Sequence, residues 1–579
     1  MNYLFCFNVD DYHSIHGWRD PATTTLSTAI HMATCVSKKI EYGAVPSIYN
    51  GIHIHNPNNI EAHKINYHLI HKFKGIFDYS YNVRKMSWNS SSLQNLNEFD
   101  RVELLTIHFY NALIAERQND RSMKGTRIVN IQQKDLHSLN DYIEVLLSIS
   151  KIENLSNYLK NNIIPVVADW PGQLFIRKAI TKLQNQGLNN IIKNFVPLIG
   201  PLHVSLNSRE QVVLIHWEFF NKMFHSIFGP NKVLAQKPKP WRINLLLDLA
   251  DKGWKKISSV ILNKFPNNCK DIEYRMVIDL LDNLIPATLD IYAILFRSGS
   301  FNEYLETLFR IWTFTLRWKR KNYNKAPLAF LSDYFYWKEN NHLFADVIES
   351  HLVNFNDYYV ENIHSQIRAN TTSLDSANAI IEQTYVLDLH DQTTINTFKN
   401  HHKYPYTKPD LEELTTRASI FILDYFHSIY LNLGKSKAYN KKSKTHKLVT
   451  LNKVVDLRSL PAGYHTSFPP SPNSCDHCKN ILENSTEIIV LICGHGYHHE
   501  CYEKLRNRCK HCEEYYKKGI FENVDSFLKR LNGGDDILTE DDVEELNEDN
   551  EDEDNGDLIT PETNLTIDLN KEIELVESW

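Results

Sequence analysis

Residues 475 to 512 read CDHCKNILENSTEIIVLICGHGYHHECYEKLRNRCKHC, and this stretch decides how the C-terminal part of the chain can fold. Six of the nine cysteines lie inside it, while Cys6, Cys35 and Cys269 stand alone. The donors fall into four pairs: Cys475 with Cys478, Cys493 with His495, His498 with Cys501, and Cys509 with Cys512. A pair separated by two residues can turn both side chains onto one ion, and zinc takes four tetrahedral thiolate or imidazole ligands. Eight donors therefore fill two sites and leave no open position for a catalytic water. Clustering in pairs points to metal inside the cell rather than to the spread-out disulfides of a secreted protein. A peptide this short cannot bury enough apolar surface to fold alone, so the ions must staple it.

The order of pairs resembles the RING finger in its two-histidine form. That resemblance implies interleaved sites, with Cys475, Cys478, His498 and Cys501 on one zinc and Cys493, His495, Cys509 and Cys512 on the other. His499 adjoins His498 and offers an alternative imidazole; His477 and His511 are expected to be exposed. Ile488 to Ile492 is expected to form the strand leading into the third ligand. RING fingers recruit protein partners, commonly a ubiquitin-conjugating enzyme. Two positions of that partner surface depart from the family here. Asp476 and His477, not an aliphatic residue, lie within the first pair, and Lys510, not proline, follows Cys509. Chelation is expected to unfold residues 475–512 and leave the N-terminal core intact.

Outward from the finger, the chain has ordinary globular composition, with 42% hydrophobic and 23% charged residues among 579. No stretch reaches the roughly 18 apolar residues of a membrane span. The best candidate, Leu284 to Phe296, is interrupted by Pro286 and Asp290. With no secretory leader evident, a soluble intracellular protein of nucleus or cytoplasm is expected, with no membrane partner. The net charge of -7 conceals a division, because residues 535–557 hold 14 acidic residues and no basic one. Setting them aside leaves 56 acidic against 63 basic residues, a mild excess compatible with DNA contact. Lys237-Pro-Lys-Pro-Trp-Arg242 and Arg317-Trp-Lys-Arg-Lys321 are the basic-aromatic stretches that would supply it.

Towards the N-terminus, Tyr3 to Val9 reads as a buried strand ending at Asp10 and Asp11. Leu136 to Leu159 has helical spacing, and residues 163–168 read as a short strand ending at Asp169. Pro171 and Gly172 then form a turn before a helix over Gln173–Leu183. Phe195 to Val204 is expected to be another strand with a turn at Gly200-Pro201. From about Glu210 to Val386 the pattern is helical, and the stripe Trp217, Phe219, Phe220, Phe224 and Phe228 is expected to be core. The histidines at 53, 55, 63, 68 and 71 lack ligand partners at metal spacing and are expected to be polar hydrogen-bonders.

Asn8-Val-Asp-Asp-Tyr-His13, Asp169-Trp-Pro-Gly-Gln173, Gly200-Pro-Leu-His-Val204 and the helix around Glu361 together resemble fungal transposon-derived proteins with an RNase H-like Asp-Asp-Glu core. The resemblance implies Asp10, Asp169 and Glu361 as magnesium ligands for nuclease or transposase chemistry, because phosphoryl transfer uses paired carboxylates to hold divalent cations. The chain begins directly on its first strand, which leaves no room for the DNA-binding domain such proteins carry there, so an inactive core is expected. The whole then reads as α+β and mostly α. Residues 1–209 begin an RNase H-like core, 210–350 form a helical insertion and 351–433 complete the core. A linker follows over 434–473, then the finger over 474–515 and a disordered acidic tail over 533–579. Three functions compete: a zinc-binding RING-type protein with possible ubiquitin ligase activity, a metal-dependent nuclease, and a non-catalytic adaptor.

Overall fold

The computed structural model describes the chain except for residues 1–2, 17–27, 74, 89–122, 186–190, 267, 373–374, 388–405, 436, 441–444, 449, 452, 456, 483–486, 534 and 539–567. The fold is mixed α/β and mostly helical. Its main sheet has five strands: β1 (Leu4–His16), β2 (Thr28–Ile40), β3 (Thr126–Gln133), β4 (Ile164–Ala168) and β5 (Phe195–Ile199). They lie in the order β3-β2-β1-β4-β5. β2 runs antiparallel to both neighbours, while β1, β4 and β5 are mutually parallel. β4 is buried along its whole length, as a central parallel strand covered on both faces should be.

Period-two alternation sorts the residues of β1. Phe7 and Val9 join a core formed with α1 (Leu139–Ser150) and α2 (Trp170–Asn185). Tyr12 joins another core on the opposite face, against Tyr359, Val360, Ile363 and Ile367. The sheet is thus a middle layer between helices.

Several local expectations are corrected. β1 does not stop at Asp10 but continues through His16, paired residue for residue with β2. Pro171 and Gly172 are no turn: they belong to the first turn of α2, where a missing N–H costs nothing. The strand at 195 ends at Ile199, and Pro201 opens helix α3 (Pro201–Ile215). The helical region is built largely around α4 (Pro240–Lys264), with the predicted aromatic stripe buried at Phe219, Phe220, Phe224 and Phe228. Helix α5 (Tyr358–Asn370) returns to the sheet, and α6 (Lys408–Leu431) lies along α4. Among the described residues no helix is long and apolar enough to cross a membrane.

Two further corrections concern the C-terminal third. The proline-rich approach to the finger is packed rather than a free tether: Leu457, Leu460 and Ala462 are buried, and Gly463 donates to the Cys493 carbonyl at 3.0 Å. The acidic tail is held at both ends, although its middle lies outside the described residues. Asp536 pairs with Lys178 of α2 at 2.6 Å, and the Leu139 amide donates to the Asp536 carbonyl at 2.8 Å. At the other end α8 (Leu569–Val576) buries Val576, and Trp579 stacks on His427 with centroids 4.7 Å apart. An ion pair and a backbone bond thus dock the near end, and a few apolar residues beyond the acidic run dock the far one.

The basic-aromatic stretches are also inward-facing in part. Arg242 is buried and lies over the rings of Trp241 and Phe224. Arg317 pairs with Asp279 at 2.8 Å in the interior, and Trp318 is buried beside it.

Candidate metal centres

The finger is organised by a short hairpin. Strand Ile488–Val490 pairs antiparallel with Gly496–His498, so the strand ends two residues before the expected Ile492. The turn between them carries Cys493 and His495, and Gly494 there has φ +92°, a left-handed conformation that glycine adopts without strain. Cys501 sits on the short helix His499–Lys504. Cys509 and Cys512 stand at the start of a long helix, α7 (Lys510–Gly533).

These elements gather the donors into two quartets, Cys475, Cys478, His498 and Cys501, and Cys493, His495, Cys509 and Cys512. Within each quartet one donor atom per residue lies within 4.8 Å of all the others. Zinc–ligand bonds of about 2.3 Å to sulfur and 2.0 Å to nitrogen put sulfur–sulfur edges of a tetrahedron at about 3.8 Å and sulfur–nitrogen edges at about 3.5 Å. In the second quartet the Cys493 and Cys509 sulfurs are 3.8 Å apart. His495 Nδ1 lies 3.4, 3.3 and 3.7 Å from the sulfurs of Cys493, Cys509 and Cys512. In the first quartet Cys478 Sγ and His498 Nδ1 are 3.4 Å apart. These separations match the edges of a tetrahedron of zinc ligands.

Both imidazoles are oriented by their other nitrogen. His495 Nε2 donates to the Phe468 carbonyl at 2.9 Å, and His498 Nε2 to the Ile481 carbonyl at 3.2 Å. A carbonyl can only accept, so Nε2 keeps its proton and the Nδ1 lone pair is available for an ion. His499 instead turns towards Glu503, at 3.7 Å. His477 is exposed, and half-buried His511 faces the Asp476 carbonyl.

The finger is fastened to the body through buried polar contacts. Asp476, inside the first cysteine pair, meets Lys270 at 2.7 Å with both side chains all but fully buried. Its carboxylate also accepts from the amides of Ser471 and Gly496, at 2.9 and 2.8 Å. Asp78 accepts from the Cys509 amide at 3.1 Å through its side chain and from the Ile492 amide at 3.3 Å through its carbonyl. Beyond the ligands, α7 runs into the body. Gly519 is so close to Leu316 that a Cβ would fall 2.5 Å from its side chain, and Phe527 packs on Trp170 at 5.7 Å.

A second constellation lies on the sheet. Asn8 of β1 pairs with Val167 of β4; two residues on from them stand Asp10, still in β1, and Asp169, just past the end of β4. Asp10, His203 and Glu361 form a group whose ligand atoms lie within 4.8 Å of one another, each side chain 14–20% exposed. Asp169 is outside that group. Its Oδ1 accepts from the Gly172 amide at 2.9 Å, as a cap on α2, although its charge is felt at Asp10. Burial, reinforced by Glu361 and Asp169, pushes the Asp10 carboxyl well above its ordinary range, with His203 opposing. Burial also raises Asp169 against the pull of His203 and the Gly172 amide. Burial alone would lower His203, but Asp357, Glu361 and Asp10 outweigh it and hold the ring well above its ordinary value.

Sequence reasoning assigned no role to His203 or Asp357. His203 lies in the segment Gly200–Val204 already singled out, so its position was in view but its chemistry was not. Asp357 Oδ2 meets His203 Nδ1 at 2.8 Å, and its two oxygens accept from the amides of Leu202 and His203 at 3.0 Å each. A third group, Asp11, His31 and Asp135, involves the neighbour of Asp10 on the opposite face of β1, where His31 Nδ1 lies 2.8 Å from Asp11. No protein-family model, curated protein or solved structure matches the chain.

Proposed function

We propose that the chain is a two-zinc RING-type protein, whose finger is a fixed partner-binding element braced against an RNase H-like body. The observation that carries this reading is the pair of interleaved quartets with tetrahedral edges. With every coordination position taken by protein, zinc there would supply folding energy and no chemistry on a substrate. Native mass spectrometry should count two zinc ions per chain, and a count below two contradicts it.

Protein binding is better supported than ubiquitin transfer. Asp476, at a position where RING partners are commonly met, is spent on Lys270, and the neighbouring His477 and Lys510 are exposed but polar. Autoubiquitination assays with a panel of conjugating enzymes decide this: no ubiquitin chains are expected, and zinc-dependent chains would restore the ligase reading.

A second reading, metal-dependent cleavage of nucleic acid, is favoured by one observation. Asp10 and Glu361 converge although most of the chain separates them, beside Asp169 at the end of the adjoining parallel strand. The strand order β3-β2-β1-β4-β5, with β2 alone reversed, is the arrangement expected of an RNase H-like sheet. Magnesium held there would activate a water and offset charge on the leaving oxygen. Asp10 and Glu361 would offer the oxygens, and Asp169 the carboxylate oxygen not engaged by Gly172. DNA contact would have to come from exposed residues such as Lys237, Lys239 and Lys319, because Arg242 and Arg317 are turned inward. Magnesium-dependent strand cleavage that disappears in Asp10→Asn supports this reading; cleavage unchanged in that variant refutes it.

A further inference from the structure

We infer that His203 is a ligand in the acid cluster, held in that role by Asp357, and that the site takes a divalent transition ion such as Mn2+ in preference to Mg2+. This rests on the second reading above and adds to it a nitrogen donor and a choice of metal.

The first support is the orientation of the ring. Asp357 is 1% exposed and already accepts from two backbone amides, so it is a fixed acceptor. Its Oδ2 at 2.8 Å therefore keeps the proton on His203 Nδ1. Nε2 is left facing Glu361 Oε1 at 3.5 Å, and a nitrogen of the ring lies within 4.8 Å of the Asp10 carboxylate. A charge-assisted hydrogen bond would close to about 2.7–2.9 Å. A separation of 3.5 Å instead suits two donors on a common ion, as among the finger's own ligands. The chain Asp357–His203–cation is the carboxylate–histidine arrangement that fixes metal-binding imidazoles elsewhere.

The second support is backbone accommodation. A Cβ at Gly200 would fall 2.1 Å from Asp357 Oδ2, so only glycine at this position lets the carboxylate reach the start of α3 and the ring beyond it. The third is composition. Asp10, His203 and Glu361 bring ligand atoms within 4.8 Å of one another, so an imidazole nitrogen joins two carboxylates. Carboxylates alone suit magnesium, whereas imidazole with two carboxylates suits a first-row transition ion. An entering cation would displace the Nε2 proton to water.

The test is Mn2+ added to the zinc-loaded full-length chain, read by electron spin-echo modulation for directly bound 14N and by competition with Mg2+. One bound Mn2+ with imidazole nitrogen coupling is expected, at least about tenfold tighter than Mg2+, and Asp357→Asn should weaken it by about tenfold. The coupling should persist in His31→Gln and in His364→Gln, which remove the imidazoles beside Asp11 and, at 4.0 Å, beside Asp10, and vanish in His203→Gln. Mn2+ bound without nitrogen coupling, or coupling that survives His203→Gln, overturns the role of His203 and leaves the carboxylate site standing. Failure of both cations to bind overturns the second reading as well.

Discussion

The finger and the acid cluster are both metal-ligand constellations, and they are built on opposite plans. The finger draws eight donors from one short stretch, held by turns, a two-stranded hairpin and the first turn of α7. The cluster draws Asp10 from a strand, His203 from the first turn of one helix and Glu361 from another, and nothing local brings them together. On the proposed reading, metal would help to make the finger. The sheet makes the cluster, and like charges gathered there work against it. A site that depends on its ion for folding can be read from spacing, whereas a site that depends on a fold can be read only once the fold is known.

The sharpest way to break this contrast is to remove zinc. Chelation, or Cys509→Ser, should cost on the order of 10 kcal/mol of finger stability. Because α7 and Asp476 are packed into the body, the helical body should loosen too, contrary to what the sequence led one to expect. Hydrogen exchange should show lost protection in α2 as well as in residues 475–512. Protection confined to its original level in α2 would make the finger a detachable module after all.

A smaller effect is expected at the fastening point. Lys270→Met leaves the Asp476 carboxylate buried without its partner, which should cost about 3–5 kcal/mol by chemical denaturation. Adding Asp476→Leu should recover most of that loss, and no recovery would mean that the backbone bonds of Asp476 matter more than its charge pair.

The smallest effect concerns acid titration in the cation-free chain. Burial and like charge raise the Asp10 carboxyl in the folded state, so the folded chain holds a proton that the unfolded chain has already released. The resulting stability is full below about pH 4 and falls as pH rises towards the raised value, by no more than about 1.4 kcal/mol per unit. Asp10→Asn should flatten that part of the pH–stability curve, and an unchanged slope would remove Asp10 from the cluster's electrostatics.

Much of this molecule was legible in the sequence, and the reasons differ by region. The short buried strand at 164–168 and the aromatic stripe of residues 219–228 showed because continuous apolar runs and helical periodicity are local signals. The extension of β1 past Asp10 was hidden, because polar residues continue a strand only when a neighbour such as β2 pairs with them. Gly200-Pro201 looked like a turn, since proline at the first position of a helix and proline in a turn share the same φ. Arg242 and Arg317 looked like surface because burial of a guanidinium depends on partners far away in sequence, here Trp241 with Phe224, and Asp279. Asp169 was expected as a ligand and is also a helix cap, two roles that sequence alone does not separate.

Helix α7 begins inside a knot of sulfur and nitrogen and ends beneath the indole of Trp170, one residue from Asp169. Trp170 is 2% exposed with Phe527 seated on it, so a chain ending before Cys475 would lose more than its clustered donors. It would uncover an aromatic ring on the sheet's own helix and invite self-association there. Recombination that carried this finger and its helix into another protein would take that ring's cover away and leave the ring bare in the body it left.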